Sequence, residues 1–153
     1  MTTLAEDRED LLQHYRTSRE RMGRAIDGLT DEQLSEHSLD GWALKDHLAH
    51  LAVWDDMRAA EVERISAGHE SAWTMTDQQD DDLNAMTYEM RRSLSAAQAR
   101  WELENSRRKL LEAIEKATPE ALDQARYGTA PLRSDHEEQH AGWIERWRQD
   151  KGF

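Results

Sequence analysis

The segment Trp42-Ala43-Leu44-Lys45-Asp46-His47-Leu48-Ala49-His50-Leu51-Ala52-Val53-Trp54 reads as part of a long amphipathic helix. Leu44, Leu48, Leu51 and Trp54, with Val62 beyond them, keep to three- and four-residue steps, so at about 3.6 residues per turn they share one broad apolar arc. Lys45, Asp46, Ala49, Asp56 and Glu63 fall opposite, on the side expected to face water. The period predicts a helix from about Trp42 to Ala67, with Asp40-Gly41 just before it.

The same spacing recurs on either side. Leu4, Leu11, Tyr15, Met22, Ile26 and Leu29 predict a first helix from about Leu4 to Asp27, ended by Gly28. Thr30-Asp31-Glu32-Gln33 has the spacing of a capping box and predicts a short helical turn. Gly68 to Gln79 is unpatterned and is expected to be a crossover loop holding Trp73 and Met75. A third helical region is predicted from about Asp80 to Lys116, with Asp80-Asp81-Asp82 favoured at its start by the helix dipole. It should break near Ser93 and restart at the box Ser95-Ala96-Ala97-Gln98. Thr118-Pro119 predicts a brief helix to Asp123, and Tyr127 to Arg133 a loop. A third box, Ser134-Asp135-His136-Glu137, opens a last helix ending near Asp150. With 2 Pro, 7 Gly and no strand-like alternation, the chain reads as an all-α four-helix bundle. It is expected to form one domain over residues 1–153, with a long crossover between the second and third helices.

Over 153 residues, 20 Lys+Arg against 32 Asp+Glu leave a net charge of −12 with histidine neutral. Affinity for a phosphate backbone comes mainly from Lys and Arg displacing counterions, so nucleic acid is not an expected partner. No apolar run approaches the roughly 20 residues of a membrane span. Met1-Thr2-Thr3-Leu4-Ala5-Glu6-Asp7 has neither the basic nor the apolar stretch of a signal peptide, so a cytoplasmic location without a membrane partner is expected. The count of 0 Cys removes disulfides, thiolate ligands and a cysteine nucleophile.

The clearest chemical signal is His136-Glu137-Glu138-Gln139-His140. Two imidazoles four residues apart project from one helical face and can hold one divalent cation. The period sets them among Leu132, Trp143, Ile144 and Trp147, hence inward, where buried ring nitrogens need partners. The five residues also match the H-E-x-x-H pattern of zinc proteases, but only Ala141 to Phe153 follow, without a third histidine. Glu137 is the third residue of the capping box and a candidate proton carrier. With His140 it makes one E-x-x-H unit, where di-iron bundles carry a pair. A third ligand must come from elsewhere. The second helix offers His47, nearer the centre of its apolar arc, and His50, near its edge beside Met57, and spacing alone does not choose between them. His14, His37 and His69 are expected to be solvated. Six tryptophans beside one Phe should mostly anchor the core, with one or two lining a small-molecule pocket.

Gly41 to Trp54 resembles the second-helix signature of the DinB-like four-helix bundles, in which a tryptophan precedes a hydrophobic, a charged and an acidic residue and then Ala-His-Leu. Asp82-Leu83-Asn84 and the helix after it are similar to the middle region of the ClbS/DfsB group of that family. Asp135 to His140 with Ile144 resembles the closing H-x-x-x-H-x-x-x-I. The resemblance covers nearly the whole chain in order. It implies a divalent cation, zinc or nickel, held by His50, His136 and His140 on a side open to water. It also implies a metal-dependent hydrolase or thiol-dependent transferase acting on a small electrophilic molecule. In that reading His47 or Glu137 shuttles a proton, and Trp54, Trp143 and Trp147 shape an apolar pocket. The thiol would be a low-molecular-weight cosubstrate, since the chain has none. The alternative is a protective protein of the ClbS/DfsB type that sequesters a toxin without turnover. A homodimeric module is the third reading, and it requires exposed apolar stripes on the first or third helix.

Overall fold

The computed structural model describes residues 5–153, so Leu4, expected to open the first helix, lies outside them. Helix α1 (Arg8–Ile26) starts at Asp7, whose carboxylate accepts the amide of Asp10 at 3.0 Å. It buries Leu11, Leu12, Tyr15, Met22, Ala25 and Ile26. Thr30 and Gln33 form the expected reciprocal cap on α2 (Asp31–Leu34). A hairpin that the apolar pattern does not predict follows: β1 (His37–Leu39) pairs antiparallel with β2 (Trp42–Ala43). Asp40 and Gly41 turn it with φ of 56° and 81°, the positive values that a two-residue hairpin of this hand demands. The strands are too short for alternation to register, but Asp-Gly was a legible turn signal. The hairpin sets Trp42 at the head of α3 (Leu44–Ser66), where Asp46 caps the first turn by accepting the amide of Ala43 at 2.9 Å.

Helix α4 (Asp77–Arg91) begins before the expected Asp80, because Thr76 and Gln79 make a capping box within the stretch read as loop. The break then falls where predicted, and Ser95 caps α5 (Ala96–Glu115). The brief helix after Pro119 is a 3-10 turn, Glu120–Leu122, joined by a second, Gln124–Arg126. Helix α6 (His136–Lys151) closes the chain. The long helices α1, α3, α5 and α6 make an all-α bundle in which α3 packs mainly on α5 and α1 mainly on α6. The crossover from α3 to α5 carries α4, which buries none of its own residues and lies across α3. There Trp54 Nε1 donates to Asn84 Oδ1 at 2.9 Å, Trp42 stacks on Tyr88, and Lys45 Nζ donates to the Arg92 carbonyl at 2.6 Å. This cover is why Lys45, Asp46 and Ala49, expected on the wet side, are buried, while Asp56 and Glu63 are exposed. No helix among the described residues is long and apolar enough to cross a membrane.

The core has two apolar clusters with a polar layer between them. Leu11, Leu12 and Tyr15 of α1 join Val62 and Ile65 of α3 and Leu110 and Ile114 of α5 at one end. Met22 and Ile26 join Leu44, Leu48, Leu51, Leu103, Ile144 and Trp147 at the other. Where each helix passes from one cluster to the other it carries a polar group: Ser18 and Arg19 on α1, Asp55 on α3, Arg107 on α5, Glu137 on α6. Arg107 grips Asp55 with Nε and Nη2 at 2.9 and 3.2 Å and lies 2.6 Å from Glu137, while its Nη1 donates to the Tyr15 carbonyl at 2.7 Å. Arg19 donates to Glu137 at 2.6 Å and to the Leu103 carbonyl at 3.0 Å. Two guanidiniums thus meet two carboxylates, which is how charge is tolerated inside a protein.

Two loops close the end of the bundle beside α4. The backbone amide of Thr129 donates to the Trp73 carbonyl at 2.9 Å, and a Cβ on Gly128 would stand 2.3 Å from that oxygen, so only glycine fits. Tyr15 donates from its hydroxyl to the Leu132 carbonyl, and Arg58 Nε donates to the Pro131 carbonyl at 2.9 Å. Replacing Arg107 with methionine leaves the two carboxylates Asp55 and Glu137 with Arg19 alone between them. Urea unfolding should then show a loss of roughly 3–5 kcal/mol. Arg21→Met, which removes the exposed pair with Glu145, should change stability by about 1 kcal/mol or less.

Candidate metal centre

Helix α6 presents His136 and His140 one turn apart, and α3 brings His50 against them. His50 Nε2 lies 3.0 Å from His136 Nε2, which in turn lies 3.1 Å from His140 Nε2. The ligand atoms of all three lie within 4.8 Å of one another. Hydrogen bonds cannot satisfy this arrangement. His136 Nε2 has one proton or one in-plane lone pair, yet it takes part in both contacts.

Burial decides the charge. Desolvation, and then repulsion from His136 and His47, holds the pKa of His50 down at about 3. Desolvation and the neighbouring imidazoles hold His140 at about 2. For His136 burial again comes first, with the Arg58 cation adding to it and Asp55 opposing, for a value of about 4. Three neutral rings turned toward one point offer lone pairs to a cation. Separations of 3.0 and 3.1 Å are short enough for the nitrogens to share one ion. The donor set fits a borderline divalent ion such as zinc or nickel.

His47 stands behind His140, with the two Nδ1 atoms 3.0 Å apart. For His140 to offer its Nε2 lone pair, its proton must sit on Nδ1 and be donated to His47. The proton of His47 then lies on Nε2, toward the Leu39 carbonyl at 3.5 Å. Burial also lowers the pKa of His47, in keeping with its acceptor role. Helical spacing does not choose between His47 and His50, and the position on the apolar arc slightly favours His47. In the fold both second-helix histidines turn inward, but they meet different ends of the α6 pair.

Glu137 does not fill either role expected of it. Arg19 and Arg107 hold both its oxygens in the polar layer, so it is neither a capping residue nor a proton carrier. The backbone instead begins α6 at Asp135 without a side-chain cap, and the His136 amide donates to Ser134 Oγ at 3.2 Å. Trp54 and Trp143 do stand against the imidazoles, with ring centroids 5.7 Å from His136 and 4.7 Å from His140 respectively. Trp147 does not. It lies on the same stripe as His140 but two turns, about 10 Å, further along. There it is buried in the second apolar cluster and donates to Ser38 Oγ at 2.7 Å. Its place is taken by Trp42, 5.1 and 5.7 Å from His47 and His50 and stacked on Tyr88. Trp42 heads the second-helix motif and could have been nominated from it, whereas nothing in the sequence linked Tyr88 to the site. His14 is not solvated as expected: its Nε2 donates to the Ser134 carbonyl at 2.7 Å, and Asp135 and Glu138 lie 3.9 and 3.8 Å away. His37 and His69 are exposed.

The sequence profile of the DinB superfamily matches residues 14–147. Among solved structures, the crystal structure of an uncharacterised protein from Escherichia coli UTI89 superposes with a TM-score of 0.78. The two share 15% sequence identity over 95% of each chain, so the likeness is one of fold. No curated protein matches the chain.

Unfolded imidazoles titrate near pH 6.5, while His50, His136 and His140 in the fold stay neutral to about 3, 4 and 2. Below about pH 6.5 the unfolded chain therefore binds more protons than the folded one, and the stability of metal-free protein falls as pH falls. Melting of chelator-treated protein should show Tm dropping steadily from about pH 7 to pH 5, above the range where paired carboxylates titrate. A flat profile would contradict neutral burial.

Proposed function

The chain belongs to the DinB superfamily, and on that premise we propose that it is a metal-dependent enzyme built on a DinB-like bundle. It hydrolyses, or transfers a group on, a small electrophilic molecule. His50, His136 and His140 hold one divalent cation, zinc or nickel. The observation that carries this reading is the convergence of three neutral imidazole nitrogens at 3.0 and 3.1 Å with no carboxylate among them.

A divalent cation held by three protein ligands supplies Lewis acidity, bringing the pKa of a bound water or thiol toward neutrality. The chain's own residues do the rest. His47 accepts the Nδ1 proton of His140 and so keeps the Nε2 lone pair of His140 toward the site. That bond takes up the single lone pair of His47, and Glu137 is committed to Arg19 and Arg107, so His47 acts by orienting His140 and not by carrying a further proton. Trp42, Trp54 and Trp143 wall the cluster with apolar surface that excludes water and suits an apolar substrate. In the transferase branch the thiol is a low-molecular-weight cosubstrate, because the chain has 0 Cys. The substrate is a small molecule rather than a nucleic acid or a membrane.

Metal analysis of protein purified without chelator should give one divalent ion per chain. His50→Ala and His140→Ala should lose most of it, and His47→Ala should keep the ion with roughly 10–100-fold weaker affinity. Equally little metal in the native protein and all variants would overturn the reading. Metal without turnover, with protection ending at one ligand per chain, would instead favour sequestration.

A further inference from the structure

Arg58 lies on α3 two turns beyond His50 and is 4% exposed. Arginines this deep normally face a carboxylate. Arg19 and Arg107 follow that rule, sharing Asp55 and Glu137 between them. Glu61, one turn from Arg58, is taken by Arg64, Ser71 Oγ and the Ala72 amide. Arg58 has no such partner. Its Nε donates to the Pro131 carbonyl at 2.9 Å, and among the described residues its two terminal nitrogens bond to nothing. Neither of them is sealed from solvent.

The surplus cation sits beside the histidine cluster. Its guanidinium carbon is 5.9 Å from the Trp73 ring, Trp73 packs on Trp54 at 4.7 Å, and Trp54 meets His136 at 5.7 Å. Among the described residues no carboxylate pairs with Arg58, since Asp55 is held by Arg19 and Arg107 and Glu61 by Arg64.

We infer that Arg58 is an anion-binding residue, and that the small molecule taken beside the histidine cluster carries a carboxylate or phosphate group held by its guanidinium. The fork of terminal nitrogens matches the paired oxygens of either group. The Trp54–Trp73 wall would lie along the apolar body of such a molecule, between its anionic end and the cluster. The inference rests on the proposed metal site for the reaction the molecule undergoes, but not for its binding.

Isothermal titration of the full chain, with and without one equivalent of zinc, tests it with phenylacetate, phenyl phosphate and uncharged phenylacetamide. At least one of the two anions should saturate a single site, their ranking separating carboxylate from phosphate. Phenylacetamide should bind roughly tenfold more weakly or not at all. Arg58→Gln keeps a donor for Pro131 without the charge and should weaken anion binding by roughly tenfold or more, while Arg58→Lys, which keeps the charge but not the fork, should bind more tightly than Arg58→Gln and more weakly than the native protein. Zinc content should be equal in all three proteins. Anion binding equal in the native protein and Arg58→Gln, or neither anion binding more tightly than phenylacetamide, overturns the inference even with zinc bound. Should Arg58→Gln not fold, the anion–amide contrast on the native protein decides alone. Arg58-dependent anion binding in a protein that takes up no zinc would uphold Arg58 and remove the metal reading.

Discussion

A buried layer of four opposite charges governs how this bundle closes. Arg19, Asp55, Arg107 and Glu137 come one from each long helix and sit where the two apolar clusters stop. Any one of them alone would be strongly disfavoured there. Together they carry no net charge and spend their remaining donors on the Tyr15 and Leu103 carbonyls. An apolar layer tolerates sliding of one helix past another, whereas a bidentate guanidinium–carboxylate pair holds one register. Glu137 is the α6 member of the layer, one residue from His136 and three from His140. Fixing it on Arg19 and Arg107 turns both histidines away from the layer by roughly 60–100°, toward His50.

The candidate centre follows from that register. Three rings are held close, dry and neutral, and a fourth, His47, fixes the proton of one of them. On the far side of His50, α4 is laid over α3 by the Trp42–Tyr88 stack and the Trp54–Asn84 hydrogen bond. On the side of Arg58, the Trp73 and Pro131 loops are tied to each other and to the guanidinium. An aromatic wall therefore connects a basic point to a group of lone pairs. That arrangement suits a molecule with an anionic end and an electrophilic one.

The sequence makes the helices legible because their signals are local. Apolar stripes and the Thr30 and Ser95 caps depend on neighbours a few residues away, and the structure contains them where the spacing put them. The His136/His140 pair is likewise visible from a four-residue interval. What stays hidden depends on distant partners. Glu137 satisfies a capping-box pattern and a protease pattern at once, and only the approach of Arg19 and Arg107 shows that it belongs to neither. Lys45 and Asp46 look solvent-facing until α4 covers them. His47 and His50 share one arc, and periodicity carries no information about which end of the α6 pair each will meet. Trp147 lies on the correct stripe but at the wrong height, a distinction that angular spacing cannot make. The Asp40-Gly41 hairpin and the Thr76 cap rest on local residues, but the apolar period around them is weak.

The proposed reaction depends on three imidazoles from α3 and α6 sharing one ion. Anomalous diffraction from crystals of the zinc-loaded protein, collected on both sides of the zinc absorption edge, tests it most directly. A single edge-dependent peak is expected about 2.1 Å from the Nε2 atoms of His50, His136 and His140. A peak elsewhere on the surface, with those three nitrogens still 3 Å apart and bare, would contradict it.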